Sequence, residues 1–316
     1  MPRWAVEGKH LDALLDRVRV HFACNKPEPA SFPANAARVM DVAEHPNVDI
    51  ARLAHLIERD PAMAAAVLSV ANSALYRRGV PIHSVRSATT LLGLRQVASV
   101  AVGVACRALF DVEVRVQHAL YPNWWSRLYH SSMTEAFASS FLAIERRKGT
   151  SDTVFLAGMF HDIGKALALR SLSALIVNGD VPGVPTDEVI DTVLQRTYVE
   201  FGVQAQRGWN LPESLIRVCE HQCDEQVPTG PEWLDTHVIR VVSGLNDLRM
   251  GSFEDATMQR SLTNSARALG FSREDLVTIA RQVSDYAAQV SALFSTTDGA
   301  NETGYLEWVA ACLHVD

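Results

Sequence analysis

An adjacent His161-Asp162 pair follows an apolar run in residues 155–165, Phe-Leu-Ala-Gly-Met-Phe-His-Asp-Ile-Gly-Lys. A neutral imidazole nitrogen and a carboxylate oxygen together suit a divalent metal of borderline hardness. Adjacent residues on a regular helix point about 100° apart, so such a pair converges on one ion most easily near a helix end. Gly164 is a place where the helix can end or bend. The dipeptide alone favours the alternative interpretation, a histidine stabilised at a helix C-terminus.

The elements that must position this pair are predicted to be helices. The first predicted helix has its apolar residues on one face: Leu11, Leu14, Leu15, Val18 and Phe22. Similar helical spacing recurs along the chain, whereas no convincing run alternates apolar and polar residues. The segment 62–71 is almost wholly apolar behind an Asp-Pro start, which predicts a helix buried in the centre of the fold. The sequence therefore predicts an all-α protein.

Composition limits the class of protein and its partners. The chain has 316 residues, 48% hydrophobic content and a formal net charge of −7, so broad nucleic-acid binding is not expected. Charged residues are spread through the first seventeen positions, which does not fit a signal peptide. The most apolar run, residues 97–106, is far shorter than the ~20 residues that span a bilayer. We therefore expect a soluble, cytoplasmic protein with no membrane contact.

Several motifs in order resemble the HDOD domain, the HD-related output domain of bacterial signalling proteins. They begin with Ile-Glu-Arg-Asp-Pro at 57–61 and Leu-Ser-Val-Ala-Asn-Ser-Ala-Leu-Tyr at 68–76. Ile-His-Ser-Val at 82–85, the segment 157–164 and Trp-Asn-Leu-Pro at 209–212 follow in register. The resemblance covers roughly residues 27–250. It implies an all-α fold with a helical core like that of HD phosphohydrolases and an added N-terminal helical bundle.

The resemblance also implies candidate metal ligands. HD phosphohydrolases bind one or two metals through an upstream His, the His-Asp pair and a downstream Asp. Here His161 and Asp162 match the pair. The upstream ligand corresponds to His130, although alignment on Ala136 places Ser131 there instead.

Other positions depart from the pattern of the two-metal relatives. Tyr198 stands where they carry a histidine, and His221-Gln222 stands where they often carry a His-His doublet. The downstream Asp falls on Asn246. Asp247 is adjacent, but one residue along a helix we expect it to face elsewhere. These substitutions remove charge and donors, so a working two-metal site is not expected.

A weak or vestigial single-metal site remains open. It would hold Mn, Fe, Zn or Mg through His161, Asp162, His130 and His221. Lys165 is a candidate phosphate contact, with a solvated lysine in the C-terminal turn as the alternative. His161 and Asp162 can equally form a buried polar network with no metal.

Two function classes follow, and the substituted ligand positions favour the first. One is a bacterial regulatory output module that binds a signalling protein or a nucleotide ligand on a degenerate HD scaffold. The other is a metal-dependent phosphohydrolase of a nucleotide or cyclic nucleotide. We expect an N-terminal helix at 1–26 and an HDOD domain at 27–250, divided into a bundle (27–122) and an HD-like core (123–250). Helices in 251–316 are expected to pack on that core.

Overall fold

The structure is a computed structural model that describes residues 8–24, 32–44, 50–73, 76, 79–110, 115–146, 151–251, 256–294 and 305–312. All regular structure in these residues is helical, which confirms the predicted all-α fold. The first eight α-helices are α1 (Gly8–Cys24), α2 (Ala34–Glu44), α3 (Ile50–Glu58), α4 (Pro61–Ala71), α5 (Val85–Leu92), α6 (Leu94–Ala105), α7 (Arg115–Leu120) and α8 (Pro122–Arg146). They are followed by α9 (Ser151–Phe160), α10 (Ile163–Val177), α11 (Asp187–Gly208), α12 (Glu213–His221), α13 (Leu234–Arg249), α14 (Ala256–Ala268), α15 (Arg273–Phe294) and α16 (Tyr305–Cys312). None of the described helices has the length and apolarity needed to cross a membrane.

Helix α4 begins where the sequence predicts, but it is buried on one face only. Its start is capped by Asp60, whose Oδ1 accepts hydrogen bonds from the backbone of Ala62 at 3.0 Å and Met63 at 3.2 Å. The buried residues are Met63, Val67, Val70 and Ala71. Ala62 and Ala65 are exposed, and Leu68 is half-buried. The expectation of a helix buried all round is wrong, because alanine is small enough to stay in solvent at little cost.

Helix α1 packs on α10, which follows the His-Asp pair, whereas α15 packs on two helices that carry neither residue of the pair. Helix α1 lies against α10 and α11, and α15 lies against α8 and α13. The rings of Phe22 on α1 and Phe201 on α11 are stacked, with centroids 3.8 Å apart. Arg19 on α1 also pairs with Glu200, with Nε 3.2 Å from Oε2. Helix α1 therefore covers an apolar face of α11 rather than standing apart from the core.

Glycines allow close backbone contact where the helices around the pair meet. A Cβ on Gly158 of α9 would lie 2.8 Å from the Cα of Ala136 on α8. One on Gly164 of α10 would lie 1.8 Å from the carbonyl oxygen of Tyr198 on α11. Both distances are shorter than any real carbon contact, so no larger residue fits without moving a helix. These two glycines fix how closely α8 and α11 approach the turn between α9 and α10.

We expect Gly164→Ala to destabilise the fold by about 3 kcal/mol or more, because the added methyl group overlaps backbone that cannot yield. Gly208→Ala is the matched control, since a Cβ there meets nothing within 4 Å. Alanine is also the better helix former, so this control should be neutral or stabilising. Urea denaturation followed by circular dichroism measures both changes. Equal midpoints for the two variants would contradict the close contact between α10 and α11.

Candidate functional site

The His161-Asp162 pair lies in the two-residue turn between α9 and α10, as its side-chain geometry predicted. The backbone N–H of His161 still donates to Ala157 O at 2.9 Å, and the N–H of Lys165 donates to Asp162 O at 2.9 Å. The end of one helix and the start of the next therefore overlap at the pair. This break in the helix allows both side chains to turn toward the same side.

The imidazole of His161 is completely buried, with a hydrogen bond at Nδ1 and an ion pair at Nε2. Its Nδ1 lies 2.8 Å from Gly158 O, which can only accept, so Nδ1 carries a proton. Its Nε2 lies 2.8 Å from Glu135 Oε2 and 3.7 Å from Asp162 Oδ1. Burial lowers the pKa of His161, but the charges of Asp162 and Glu135 outweigh it and raise the pKa to about 9. His161 is therefore an imidazolium at neutral pH.

Glu135 on α8 is the centre of a second set of contacts. Its Oε1 accepts hydrogen bonds from the Ser131 hydroxyl at 2.9 Å and from the Asn246 amide at 2.7 Å. The same Asn246 nitrogen lies 2.8 Å from Ser131 Oγ. Asn246 Oδ1 accepts from Arg249, with Nη2 at 3.0 Å, which fixes the orientation of the amide. The carboxylate of Glu135 thus lies between a cation and an amide donor.

Lys165 and Asp162 form a second, partly buried charge pair beside the first. The Lys165 ammonium contacts Asp162 Oδ2 and lies 4.9 Å from the centre of the Tyr198 ring. Burial opposes the charged form of Asp162, but the nearby Lys165 and His161 lower its pKa overall. Burial, with the charges of Glu135 and Asp162, raises the pKa of Asp247 to about 7 despite the opposing effect of Lys165.

A cavity of about 440 Å³ opens beside these pairs. His161, Asp162 and Lys165 line one part of it, and α11 contributes Asp191, Gln195 and Tyr198. A single face of α13 lines another part, through Ile239, Arg240, Ser243, Gly244 and Asp247. The volume is within the range of small-molecule sites, roughly 300–1,000 Å³. The surroundings are polar and carry both signs of charge.

Two predicted ligands lie elsewhere. His130 Nε2 lies 3.0 Å from Ala287 O and 3.0 Å from Ser291 Oγ, so its ring faces α15. The neighbouring residue Ser131 reaches Glu135 instead, which corrects the alignment by one residue. His221 is also displaced: its Nδ1 lies 2.7 Å from Asp224 Oδ2, and its ring packs edge-on against Trp233.

The residues next to His221 and Asn246 do reach the cavity. Gln222 lines it and donates from Nε2 to the carbonyl of His161 at 2.6 Å. Asp247 also lines it, which corrects the expectation that this carboxylate faces away. Residues 240, 243, 244 and 247 share one face of α13, so Asp247 belongs to the cavity face while Asn246 belongs to the buried seam with α8.

The donor set does not fit a resident divalent ion. Among the described residues, no group of three His, Cys, Asp or Glu side chains has an arrangement that could hold a metal. The His161 nitrogen that could ligate faces a carboxylate at 2.8 Å, and an Asp162 oxygen is taken by Lys165. The Asn246 amide directs its N–H group, not an oxygen, toward Glu135. Internal cations therefore supply the positive charge that balances the carboxylates.

Sequence reasoning missed Glu135. Its signal was present, since it is the one acidic residue in the stretch 131–141 of α8, which is otherwise small, apolar or uncharged. A lone carboxylate among core residues is rarely buried without a partner. That partner could not be read from the sequence, because Glu135 and His161 lie on different helices.

Comparison with known proteins gives one family. The sequence model of the HDOD domain matches residues 30–225. No curated protein matches significantly. A solved structure from Shewanella amazonensis, provisionally named a metal-dependent phosphohydrolase, is 25% identical, with a TM-score of 0.67 over 89% of this chain and 99% of its own. An HDOD domain protein of unknown function from Geobacter sulfurreducens is 20% identical, with a TM-score of 0.59 over 83% of this chain and 92% of its own.

We expect Glu135→Gln to lower the pKa of His161 from about 9, because the substitution removes the nearest balancing charge. Histidine NMR signals followed against pH measure the shift. Glu145→Gln, an exposed change on the same helix, is the control and should leave the pKa unchanged.

Because folding raises the pKa of His161, protonation of His161 stabilises the fold fully below pH ~6.5, its unfolded value. That contribution is lost as the pH rises through about 9. A His161 signal that titrates near pH 6 in the wild-type protein would contradict the buried ion pair.

Proposed function

This chain belongs to the HDOD family, and from that premise we propose that it is a regulatory output module that binds a protein or a small ligand and does not hydrolyse it. The observation that supports this most is the Asn246 amide, which donates to Glu135 at 2.7 Å. The resemblance places the downstream metal-binding Asp of HD phosphohydrolases at this position. An amide that donates into the site contributes no anionic oxygen to a metal.

The charges around Asn246 support the same proposal. A hydrolytic metal needs neutral imidazole, ionised carboxylates and an open coordination position. The His161 ring is protonated by its contact with Glu135, and Lys165 pairs with Asp162. These internal pairs balance the charges of the site, which supports the proposal that it functions without a metal.

The family supplies the rest of the proposal. HDOD domains are output domains of bacterial signalling proteins, so we assign this chain to bacterial signal transduction in the cytoplasm. Its partner is a signalling protein or a nucleotide ligand. The division into a helix at 1–26, a bundle at 27–122, an HD-like core at 123–250 and packed helices at 251–316 is part of the same proposal.

The alternative is a metal-dependent phosphohydrolase acting on a nucleotide or cyclic nucleotide. The name of the similar Shewanella amazonensis protein favours it. It requires a divalent metal in place of the positive charges that His161 and Lys165 now supply. Metal binding is therefore the measurement that separates the two functions.

We expect the unmodified protein to bind Mn²⁺ and Zn²⁺ weakly in calorimetric titrations and to release no phosphate from nucleotides or cyclic dinucleotides above background. Asn246→Asp should raise metal affinity, because it sets a second carboxylate beside Glu135 and only a cation can relieve their repulsion. Tyr198 and Gln222 still leave a second site incomplete, so recovered hydrolysis should be slight at best.

The control is Asn264→Asp, which makes the same chemical change on α14, where the Asn264 side chain contacts the carbonyl of Glu225 and the guanidinium of Arg267, away from the cavity. It should leave metal affinity as in the unmodified protein. Tight metal binding and rapid, metal-dependent turnover by the unmodified protein would overturn the regulatory proposal in favour of the phosphohydrolase.

A further inference from the structure

Arg240 on α13 is a buried cation with few partners. Only 4% of the residue is exposed. Its Nη1 donates a long hydrogen bond, 3.4 Å, to His221 O, while Nε and Nη2 are buried without a hydrogen-bond acceptor. The carboxylate of Asp224, whose charge acts on Arg240, contacts His221 instead. Among the described residues, no carboxylate lies within 4.0 Å of this guanidinium.

Such an arrangement destabilises a folded protein. A buried N–H without an acceptor has lost its hydrogen bonds to water, and the loss is larger when the group is charged. A buried charge usually has an opposite charge beside it. A group that binds at this position and carries negative oxygens would satisfy both conditions. The Nε–Nη2 edge of the planar guanidinium has no acceptor and matches a phosphate group, which it can contact through parallel hydrogen bonds.

The position of Arg240 brings it to the cavity. It lines the cavity together with Ser243 and Asp247 on the same face of α13. Arg240 and Asp247 are seven residues apart, which is about 10.5 Å along a helix axis. The cavity therefore has a cationic end at Arg240 and a separate end where Asp247 can accept hydrogen bonds. A ligand that satisfies both ends carries an anion at one end and hydrogen-bond donors at the other.

We propose that Arg240 binds the phosphate group of a small organic phosphate that occupies this cavity and directs its hydrogen-bond donors toward Asp247. Nε and Nη2 are buried, so they can reach a phosphate in the cavity only if the guanidinium turns toward it. Anion binding therefore includes this movement of the side chain. This inference rests on the proposed function, since it describes the ligand of a site that binds without hydrolysis. It identifies the ligand by its phosphate group, by its hydrogen-bond donors and by the distance of about 10.5 Å between Arg240 and Asp247 along the helix axis.

Isothermal titration calorimetry with inorganic phosphate and with 4-aminobutyl phosphate tests the site. We expect the aminobutyl phosphate to bind more tightly than inorganic phosphate, because its ammonium group reaches Asp247. Arg240→Gln should weaken both by about tenfold or more, the loss expected for one charge-assisted contact. Arg217→Gln is the matched control, because Arg217 stacks on Trp233 outside the cavity lining. It removes the same charge and should change neither affinity.

Two further variants test the guanidinium geometry of Arg240 and the contact with Asp247 separately. Arg240→Lys retains the charge without the planar fork, so it should bind more weakly than the wild type but better than Arg240→Gln. Asp247→Asn should abolish the advantage of aminobutyl phosphate and leave inorganic phosphate binding. A preference for aminobutyl phosphate identifies an organic ligand; equal affinities would identify free phosphate and overturn the part of the proposal that concerns Asp247. Circular dichroism of each variant establishes that it is folded.

The outcomes separate this inference from the proposed function. Equal phosphate affinity in wild type, Arg240→Gln and Arg217→Gln would overturn the anion site and leave the regulatory proposal intact. Metal-dependent hydrolysis of 4-nitrophenyl phosphate, with binding still lost in Arg240→Gln, would support the anion site and overturn the regulatory proposal. Binding that depends on Arg240 without hydrolysis supports both.

Discussion

The buried carboxylate of Glu135 is the constraint on which the rest of the site depends. A carboxylate removed from water needs a cation or several donors, and it has both. His161 supplies the cation at 2.8 Å, and Ser131 and Asn246 supply donors from α8 and α13. Two helices, α8 and α13, and the turn between α9 and α10 are therefore held in one register by a single group. A change in any one of these partners is transmitted to the others through Glu135.

Close helix contact makes this network possible. Gly158 brings α9 against α8 near Glu135, and Gly164 brings α10 against the backbone of α11. Together they leave little freedom for the turn that carries the pair. Because packing and electrostatics favour the same arrangement, the site is rigid on its buried side. Its adaptable side is the cavity, where no ion pair within 4.0 Å between described residues includes Arg240 or Asp247.

Much of this could be predicted from the sequence, and the failures have a common cause. The all-α fold followed from residue spacing, and the His161-Asp162 pair lies at a helix end because adjacent residues need such a break to converge. His130 was placed in the site through an alignment that was one residue out. On a helix, one residue is about 100° of rotation, enough to turn the ring toward α15 instead. The same rotation of about 100° separates Asn246, in the buried seam with α8, from Asp247, which lines the cavity.

Partners across helices could not be predicted at all. The sequence shows that Glu135 is a lone acid in an apolar stretch, but not that it meets His161. Arg240 likewise looks like an ordinary polar residue on an amphipathic helix. Its burial depends on how α12 and α13 pack, which a single sequence does not specify.

Because α1 covers an apolar face of α11, it affects which fragments of the protein keep an intact core. The family match begins at residue 30, after α1, and ends at 225, before α13. A fragment restricted to that match would expose the apolar face now stacked under Phe22 and would lose Asn246 from the Glu135 network. The part of the chain that the family model matches is thus smaller than the part that forms the core. Fragments meant for solution work need the flanking helices, because those helices complete the core that the family motifs only begin.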